Sequence, residues 1–474
     1  MKKLAFVLFS AALAAAAACR REAPAARTRI SEDVGRSPEA WLREEPVRLL
    51  RDYVRIDTTL AHGEKAGAEF LKEFFECEGI EVEMVCPAEG RCNVLARLPG
   101  RKRGNALLLL NHIDVVDAFA QFWQDAKPFD GTIKLGYLYG RGSYDMKALG
   151  LAQALAMRAL HRRGIVPEHD ILFLAEADEE SGQKWGARWL LEHRPEFFAG
   201  LGQALNEGGT TEVILRDVRF WGLETLQAGY ALVEFEAPTD APLEALGARW
   251  NKVTSVAVEP HPHVVMGFEM LANHLPSPLT DPLRHLDRVR RDPAELSILP
   301  DRYACFLEAR INWSGIYHHP ARPDHSRRFV VISVPPGVDP TPFVRPIVED
   351  AKKEGLSTLA YSVSEVTVAS PYPTPFTDML KNVVEARYPG VPFGPVPTFG
   401  GYTTSILLRA HGIPTYGFEV IPMNITDAAR RHGNDERVFL RDYLRGVALY
   451  GDVVEEFALR PPPLTRSVSG HNGK

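Results

Sequence analysis

Four histidine or carboxylate residues stand where predicted strands end or a predicted helix begins. They are His112, Asp145, Glu180 and Glu207. In an open parallel sheet the carboxyl ends of the strands border one crevice, so side chains far apart in the sequence meet there. Imidazole and carboxylate groups are ligands that zinc and similar divalent ions take in proteins. The spacing therefore predicts a metal site at one edge of a sheet.

A second histidine, His432, supplies a fifth ligand from the C-terminal part of the chain. Three carboxylates and two imidazoles suit two ions that share one carboxylate, and Asp145 is the natural bridge because it lies on a glycine-flanked turn. Such a pair clamps a water molecule, lowers its pKa and presents it to a polarised carbonyl. The expected cofactor is two divalent ions, first of all zinc, with cobalt or manganese as alternatives.

Two further acids stand beside the predicted ligands. Asp114 lies two residues after His112 and can accept a hydrogen bond from the second ring nitrogen, which fixes the tautomer. If Glu180 is the ligand, the adjacent Glu179 faces the substrate as general base and later as proton donor. Each motif taken alone is more often a surface turn, so the joint order of the motifs carries the hypothesis.

The elements that must position these residues alternate between strands and helices. Continuous apolar runs at 106–110 and 171–175 are typical of strands buried on both faces, and 146–163 has a helical apolar face. This pattern predicts an α/β catalytic domain with a largely parallel sheet flanked by helices. Alternating strands and helices from about 226 indicate a smaller α+β domain inserted into the first, and the α/β pattern returns near 369.

The N-terminus predicts export from the cytoplasm. Lys2 and Lys3 precede an apolar run over 4–18, which has the length of a signal-peptide core and is short for a membrane span. Small residues before Cys19 resemble a bacterial lipoprotein cleavage site, where the cysteine is lipidated and tethers the protein to a membrane. A plain secretory signal is the alternative. We therefore expect an exported protein, either in the periplasm or anchored to the membrane as a lipoprotein.

The 474 residues divide into six predicted segments. These are a signal peptide (1–18), a flexible tether (19–40), the first part of the catalytic domain (41–225), the inserted lid domain (226–368), the second part of the catalytic domain (369–459) and a disordered tail (460–474). Four cysteines follow Cys19, namely Cys77, Cys86, Cys92 and Cys305. An oxidising compartment would allow disulfides among them, but we expect buried free thiols.

Five strings of sequence around the predicted ligands resemble one zinc-dependent metallopeptidase family, that of glutamate carboxypeptidase, aminoacylase, carboxypeptidase S and succinyl-diaminopimelate desuccinylase. The strings are Asn111-His112-Ile113-Asp114-Val115-Val116, Gly140-Arg141-Gly142-Ser143-Tyr144-Asp145-Met146-Lys147, Ala175-Glu176-Ala177-Asp178-Glu179-Glu180-Ser181-Gly182, Asn206-Glu207-Gly208-Gly209 and His432-Gly433-Asn434-Asp435-Glu436. The resemblance extends from about Trp41 to Leu459. It implies a two-zinc hydrolase of amide bonds in peptides or N-acyl amino acids.

The resemblance also implies a role for each residue of the site. His112 and Glu207 would bind opposite metals, Asp145 would bridge them, Glu180 and His432 would complete the site, and Glu179 would be the base. A homodimer through the lid domain is expected by resemblance. The formal net charge of −6 gives no case for a nucleic-acid partner.

The inserted domain departs from the family pattern. Relatives carry a Gly-His-Ser-Ser-type motif whose histidine stabilises the oxyanion, and the corresponding segment 234–240 has no histidine. Ser333 stands near a family arginine, and the family's Gly-Gly-Thr-Asp turn reads Gly400-Gly401-Tyr402-Thr403-Thr404. His318 and His319 are candidate replacements for the lost histidine. The alternative function is therefore a binding protein that kept the metal site and lost catalysis.

Overall fold

The structure is a computed structural model that describes residues 32–214, 217–250, 259–274, 277–319, 322–398 and 402–464. The predicted signal peptide, Cys19, most of the predicted tether, residues 465–474 of the predicted tail, Gly400 and Gly401 lie outside the described residues. Export and lipidation stay predictions, and so does the homodimer, since one chain is present. Within the described ranges, no helix is both long and apolar enough to cross a membrane.

Seventeen strands form three sheets in the described chain. Their bounds are β1 Glu81–Ala88, β2 Arg91–Leu98, β3 Lys102–His112, β4 Thr132–Lys134, β5 Tyr137–Tyr139, β6 His169–Glu176, β7 Leu201–Asn206, β8 Thr210–Ile214, β9 Asp217–Leu226, β10 Gly229–Ala237, β11 Arg310–Trp313, β12 Tyr317–His319, β13 Arg322–Val334, β14 Ser357–Val363, β15 Phe393–Pro397, β16 Thr415–Gly417 and β17 Arg437–Phe439.

The large sheet has nine strands in the order β1-β2-β6-β3-β7-β16-β9-β15, with β8 paired to β9. Its four central strands, β6, β3, β7 and β16, are parallel to their neighbours within this group. Leu107 and Leu109 of β3 pack into one hydrophobic core, and Leu108 and Leu110 pack into another. Both faces of the sheet are therefore covered, which confirms the predicted α/β class.

Helices surround this sheet because their apolar faces pack into the two cores. The helix over 147–162 buries the predicted residues Leu149, Ala152, Leu155 and Leu160, and it buries most of its other residues as well, so it is covered on more sides than the one predicted. The helices of the described chain are Pro38–Trp41, Glu45–Val54, Lys65–Glu76, Lys147–Arg162, Ala187–His193, Pro195–Phe198, Asp240–Arg249, Pro262–Ala272, Thr280–Arg284, Leu286–Val289, Pro293–Leu296, Asp301–Ala304, Thr341–Lys353, Pro375–Arg387, Ser405–Ala410, Ile425–Ala428 and Leu440–Leu459, with a short 3-10 turn at Ala120–Phe122.

A smaller five-stranded sheet, in the order β11-β13-β10-β14 with β12 paired to β13, lies within the inserted segment. The helices over 240–249 and 341–353 pack into its core. The helices between 262 and 304 instead share a core with β9 and β15 of the large sheet. Gly267 permits this approach, since a Cβ there would lie 2.6 Å from the carbonyl oxygen of Pro395. The segment 226–368, predicted as one lid, thus contributes to two cores, and its boundaries stay predictions.

A disulfide joins Cys86 and Cys92. The expectation of free thiols is wrong for this pair. The antiparallel hairpin of β1 and β2 places the two Cα atoms 4.0 Å apart, and a linear spacing of six residues does not reveal that proximity. Cys77 is an exposed thiol, and Cys305 is buried elsewhere in the protein.

Both ends of the described chain pack against the catalytic domain. Asp33 is buried and forms an ion pair with Arg441, and Trp41 is buried in the main core. At the other end, Asn105 Nδ2 donates a hydrogen bond of 2.9 Å to the carbonyl oxygen of Pro462. Specific contacts, which composition does not show, therefore hold residues 32–40 and 460–464 in place. The sequence predicted the first range as part of the flexible tether and the second as part of the disordered tail.

Candidate metal centre

The carboxyl ends of β6, β3 and β7 bring the predicted ligands together. His112 is the last residue of β3, Glu180 lies in the loop after β6, and Glu207 directly follows β7. Because β3 pairs in parallel with both β6 and β7, these three strand ends lie side by side. Asp145 comes from the turn before the next helix, and His432 comes from the loop before β17. All five predicted ligands meet in one cluster.

The ligand atoms form two triads that share Asp145. His112 Nε2 lies 3.2 Å from Asp145 Oδ1 and 3.7 Å from Glu207 Oε1. His432 Nε2 lies 3.2 Å from Asp145 Oδ2 and 2.9 Å from Glu180 Oε1. Within each triad the ligand atoms are no more than 4.8 Å apart. The two carboxylate oxygens of Asp145 therefore face different triads, as a bridging ligand requires.

One expected pairing is wrong. His112 and Glu207 were expected to bind opposite metals, but they lie in the same triad. The reason is the sheet register, because β3 and β7 are adjacent parallel strands and their ends point to the same place. Motif order along the chain carries no information about which strand ends are neighbours.

The electrostatics of the cluster fit divalent cations. Burial, reinforced by the charge of Asp145, raises the pKa of Glu207 to about 8 and also raises the pKa of Glu180. Hydrogen bonds to Asp145 and Glu180 raise the pKa of His432 to about 10. The carboxylates and imidazoles thus compete for protons within one cluster. A divalent cation binds the same lone pairs in place of protons and offsets the negative charge of the carboxylates. Oxygen and nitrogen donors in this number suit zinc.

Asp114 holds the loop that carries the two adjacent glutamates. Its carboxylate accepts hydrogen bonds from the backbone N–H groups of Glu179, at 3.1 Å, and Glu180, at 2.9 Å. The His112 ring atom Nδ1 lies 2.9 Å from the backbone carbonyl oxygen of Asp114 and 3.5 Å from its carboxylate. The backbone oxygen is therefore the nearer partner of the ring, whereas the sequence predicted the side chain. Either contact leaves Nε2 facing the cluster.

Glu179 has the properties of a base that faces the reaction. Its carboxylate is buried, and Oε1 has no hydrogen-bond partner among the described residues. Burial, followed by repulsion from Glu207 and Glu180, raises the pKa of Glu179 well above its usual value. Glu179 also forms a third group of neighbouring ligand atoms with His112 and Glu180, but Glu180 is the glutamate that contacts His432, with 2.9 Å between Oε1 and Nε2.

Glu436 organises the site, and sequence reasoning gave it no role. Its buried carboxylate accepts hydrogen bonds from the backbone N–H groups of Gly142, Tyr144 and Asp145, at 2.9 to 3.1 Å. Arg141 Nη1 donates to the same carboxylate at 2.6 Å. Glu436 thus links the loop that carries His432 to the turn that carries Asp145. The only signal in the sequence was its position in the motif after His432.

We expect Glu436→Gln to loosen this turn. Because removal of one partner leaves a buried charge unpaired, the free energy of unfolding should fall by about 3 kcal/mol or more, and metal affinity by about 10- to 100-fold. Chemical denaturation and competition with a chelator measure the two effects. Glu455→Gln is the control, since its pair with Arg163 is exposed and is worth at most about 1 kcal/mol. Unchanged metal affinity in Glu436→Gln would contradict the positioning role.

A cleft of about 750 Å³ opens beside the cluster, between the large sheet and the smaller one. The smaller unit contributes aromatic, aliphatic and hydroxyl side chains, namely Tyr230, Leu232, Ala360, Ser362, Val363 and Ser364. His318 and His319 lie exposed on β12 and do not line the cleft of this chain. Among the described lining residues, the smaller unit therefore offers no imidazole in place of the lost histidine.

The matches to known proteins cover the whole candidate site. The profile of "Peptidase family M20/M25/M40" matches residues 108–456, which include every predicted site residue. The chain is 27% identical to aminoacylase-1 of Sus scrofa over 433 residues, covering 88% of this chain and 96% of the relative.

Two solved structures share the fold. The M20 family metallo-carboxypeptidase Sso-CP2 from Sulfolobus solfataricus aligns with a TM-score of 0.63 at 16% identity, covering 87% of this chain and 99% of that one. Human carnosine dipeptidase 1 aligns with a TM-score of 0.63 at 17% identity, covering 88% and 97%. At these identities the likeness shows the fold alone, and the chemistry rests on the side chains described above.

Proposed function

Because the chain belongs to peptidase family M20/M25/M40, we propose that it uses two divalent ions, zinc in the first place, to hydrolyse amide bonds in small peptides or N-acyl amino acids. The observation that carries this proposal is the geometry of Asp145. Its two oxygens each face a separate triad, one with His112 and Glu207 and one with Glu180 and His432. A lone metal in either triad would leave the three ligand atoms of the other triad without a cation.

The residues divide the chemistry between them. The two triads would hold the ions, which when bound supply Lewis acidity and lower the pKa of a water molecule. Glu179 accepts a proton from the attacking water molecule as the water oxygen bonds to the substrate carbonyl carbon. Glu179 then returns the proton to the amide nitrogen as the C–N bond breaks, so the products are a carboxylic acid and an amine. Asp114 positions Glu179 through the backbone N–H.

The shape of the cleft supports small substrates. A volume of about 750 Å³ lies in the usual range for small-molecule sites, and Leu232, Val363 and Ser362 offer apolar and hydroxyl contacts. The names of the relatives also indicate small substrates, since they describe an aminoacylase, a carboxypeptidase and a dipeptidase.

A substrate screen tests this proposal. We expect the protein without residues 1–18, supplied with zinc, cobalt or manganese, to hydrolyse at least one N-acetyl amino acid or dipeptide with a kcat of about 1 s⁻¹ or more. The same protein treated with a chelator is the control. If the metal-loaded protein binds these compounds but cleaves none of them, the alternative of a binding protein with a degenerate lid stands instead.

A further inference from the structure

Arg431 lines the cleft beside the metal cluster, and its N–H groups donate no hydrogen bond to the described residues. Its Nε lies 4.0 Å from Asp145 Oδ2, and its Cζ lies 5.7 Å from the centre of the Tyr144 ring. No residue in the described part of the chain accepts a hydrogen bond from this side chain, 41% of which is exposed. A guanidinium carries a permanent charge and five N–H donors in a planar fork. Arg431 therefore offers its N–H donors to the substrate, beside a long ion pair with Asp145.

Among the described lining residues there is one other arginine, Arg188, and it already has a partner. Arg188 Nη2 lies 2.8 Å from Glu365 Oε1, in the segment after β14. The side chains that the smaller unit contributes to the described lining carry no positive charge. Arg431 is thus the guanidinium best placed to receive an anionic group of the substrate.

The distances suit a carboxylate on the leaving side of the scissile amide. In an N-acyl amino acid or dipeptide, three bonds separate the scissile carbonyl carbon from the next carboxylate carbon, a span of about 3–4 Å. A carbonyl held at the two triads would therefore place that carboxylate close to a guanidinium that lies 4.0 Å from Asp145. Planar forks of this kind bind carboxylates with two parallel hydrogen bonds.

We propose that Arg431 binds the free carboxylate of the residue released by cleavage, and that the enzyme therefore selects substrates that carry this group. This inference rests on the proposed function and adds to it a specificity-determining residue on the catalytic domain. It also explains why the described residues of the smaller domain place no positive charge in the cleft: Arg431, in the loop of His432, binds the carboxylate in their place.

The test compares a carboxylate with its neutral isostere in two variants. N-acetyl-L-methionine and N-acetyl-L-methioninamide are the probes, joined by the best substrate of the screen and its carboxamide. We expect Arg431→Met to lower kcat/KM by about 10- to 100-fold for the carboxylate and by less than about 3-fold for the amide. Arg431→Lys should recover part of the loss, because it restores the charge without the fork.

Arg430→Met is the matched control, since it removes one charge from the same loop but does not line the cleft. Calorimetric binding of both probes in a Glu179→Gln background gives a readout that needs no turnover. Carboxylate-selective binding that depends on Arg431 in a protein that cleaves nothing would reject the proposed function alone. Equal losses on both probes, or no loss on either, in a protein that does cleave amides would reject the role of Arg431 alone.

Discussion

We expect Glu179→Gln to lower kcat by about 10²- to 10⁴-fold while the protein keeps both metal ions. General-base catalysis contributes a factor of this size, and an amide side chain of the same shape cannot accept the proton. The carboxylate is buried, and its Oε1 has no partner among the described residues, so the substitution disturbs no hydrogen bond of that atom. Steady-state kinetics and metal analysis of the same preparation measure the two halves of the prediction.

Glu180→Gln is the matched comparison, because it changes the neighbouring residue in the same way. Its Oε1 lies 2.9 Å from His432 Nε2, so we expect loss of metal from that triad together with loss of turnover. If Glu179→Gln were the variant that lost metal and Glu180→Gln the one that kept it, the roles of the two glutamates would be reversed. If Glu179→Gln retained more than a tenth of wild-type kcat, Glu179 would not be the base.

The scaffold of the site followed from the sequence because buried parallel strands have a strong signature. The apolar run at 106–110 predicted a strand covered on both faces, and Leu107 to Leu110 alternate between two cores. Strand ends then fixed where His112 and Glu207 would lie. Local hydrophobic pattern and chain order are sufficient for these conclusions.

Pairings between distant segments did not follow from the sequence. The assignment of His112 and Glu207 to one triad depends on the order of strands in the sheet. The Cys86–Cys92 disulfide depends on the register of a hairpin, and the role of Glu436 depends on three backbone N–H groups of another loop. Each of these is a fact of tertiary structure that residue type and spacing leave undetermined.

The inserted segment shows the same limit. Its alternating strands and helices were recognisable, but composition did not indicate that the helices over 262–304 would pack on the large sheet. The close contact at Gly267 that allows this packing involves a strand more than a hundred residues further along the chain. The departures from the family motifs in this segment are one reason to look for substrate recognition on the catalytic domain, where Arg431 lies.

The second large effect concerns the metals themselves. We expect removal of bound metal with a chelator to lower amide hydrolysis by at least about 10³-fold, because Lewis acidity and water activation are lost together. Asp145→Asn should have a comparable effect that added metal does not reverse. Asparagine cannot offer two carboxylate oxygens, and both triads use this residue.

Back-titration of the chelated protein with zinc, followed by activity and by metal analysis, tests the central claim most directly. A binuclear site held by His112, Asp145, Glu180, Glu207 and His432 predicts that activity returns to its full value at two equivalents of zinc per chain, and that Asp145→Asn does not recover. Full activity in the chelated protein, or full recovery at one equivalent with no second ion bound, would contradict it.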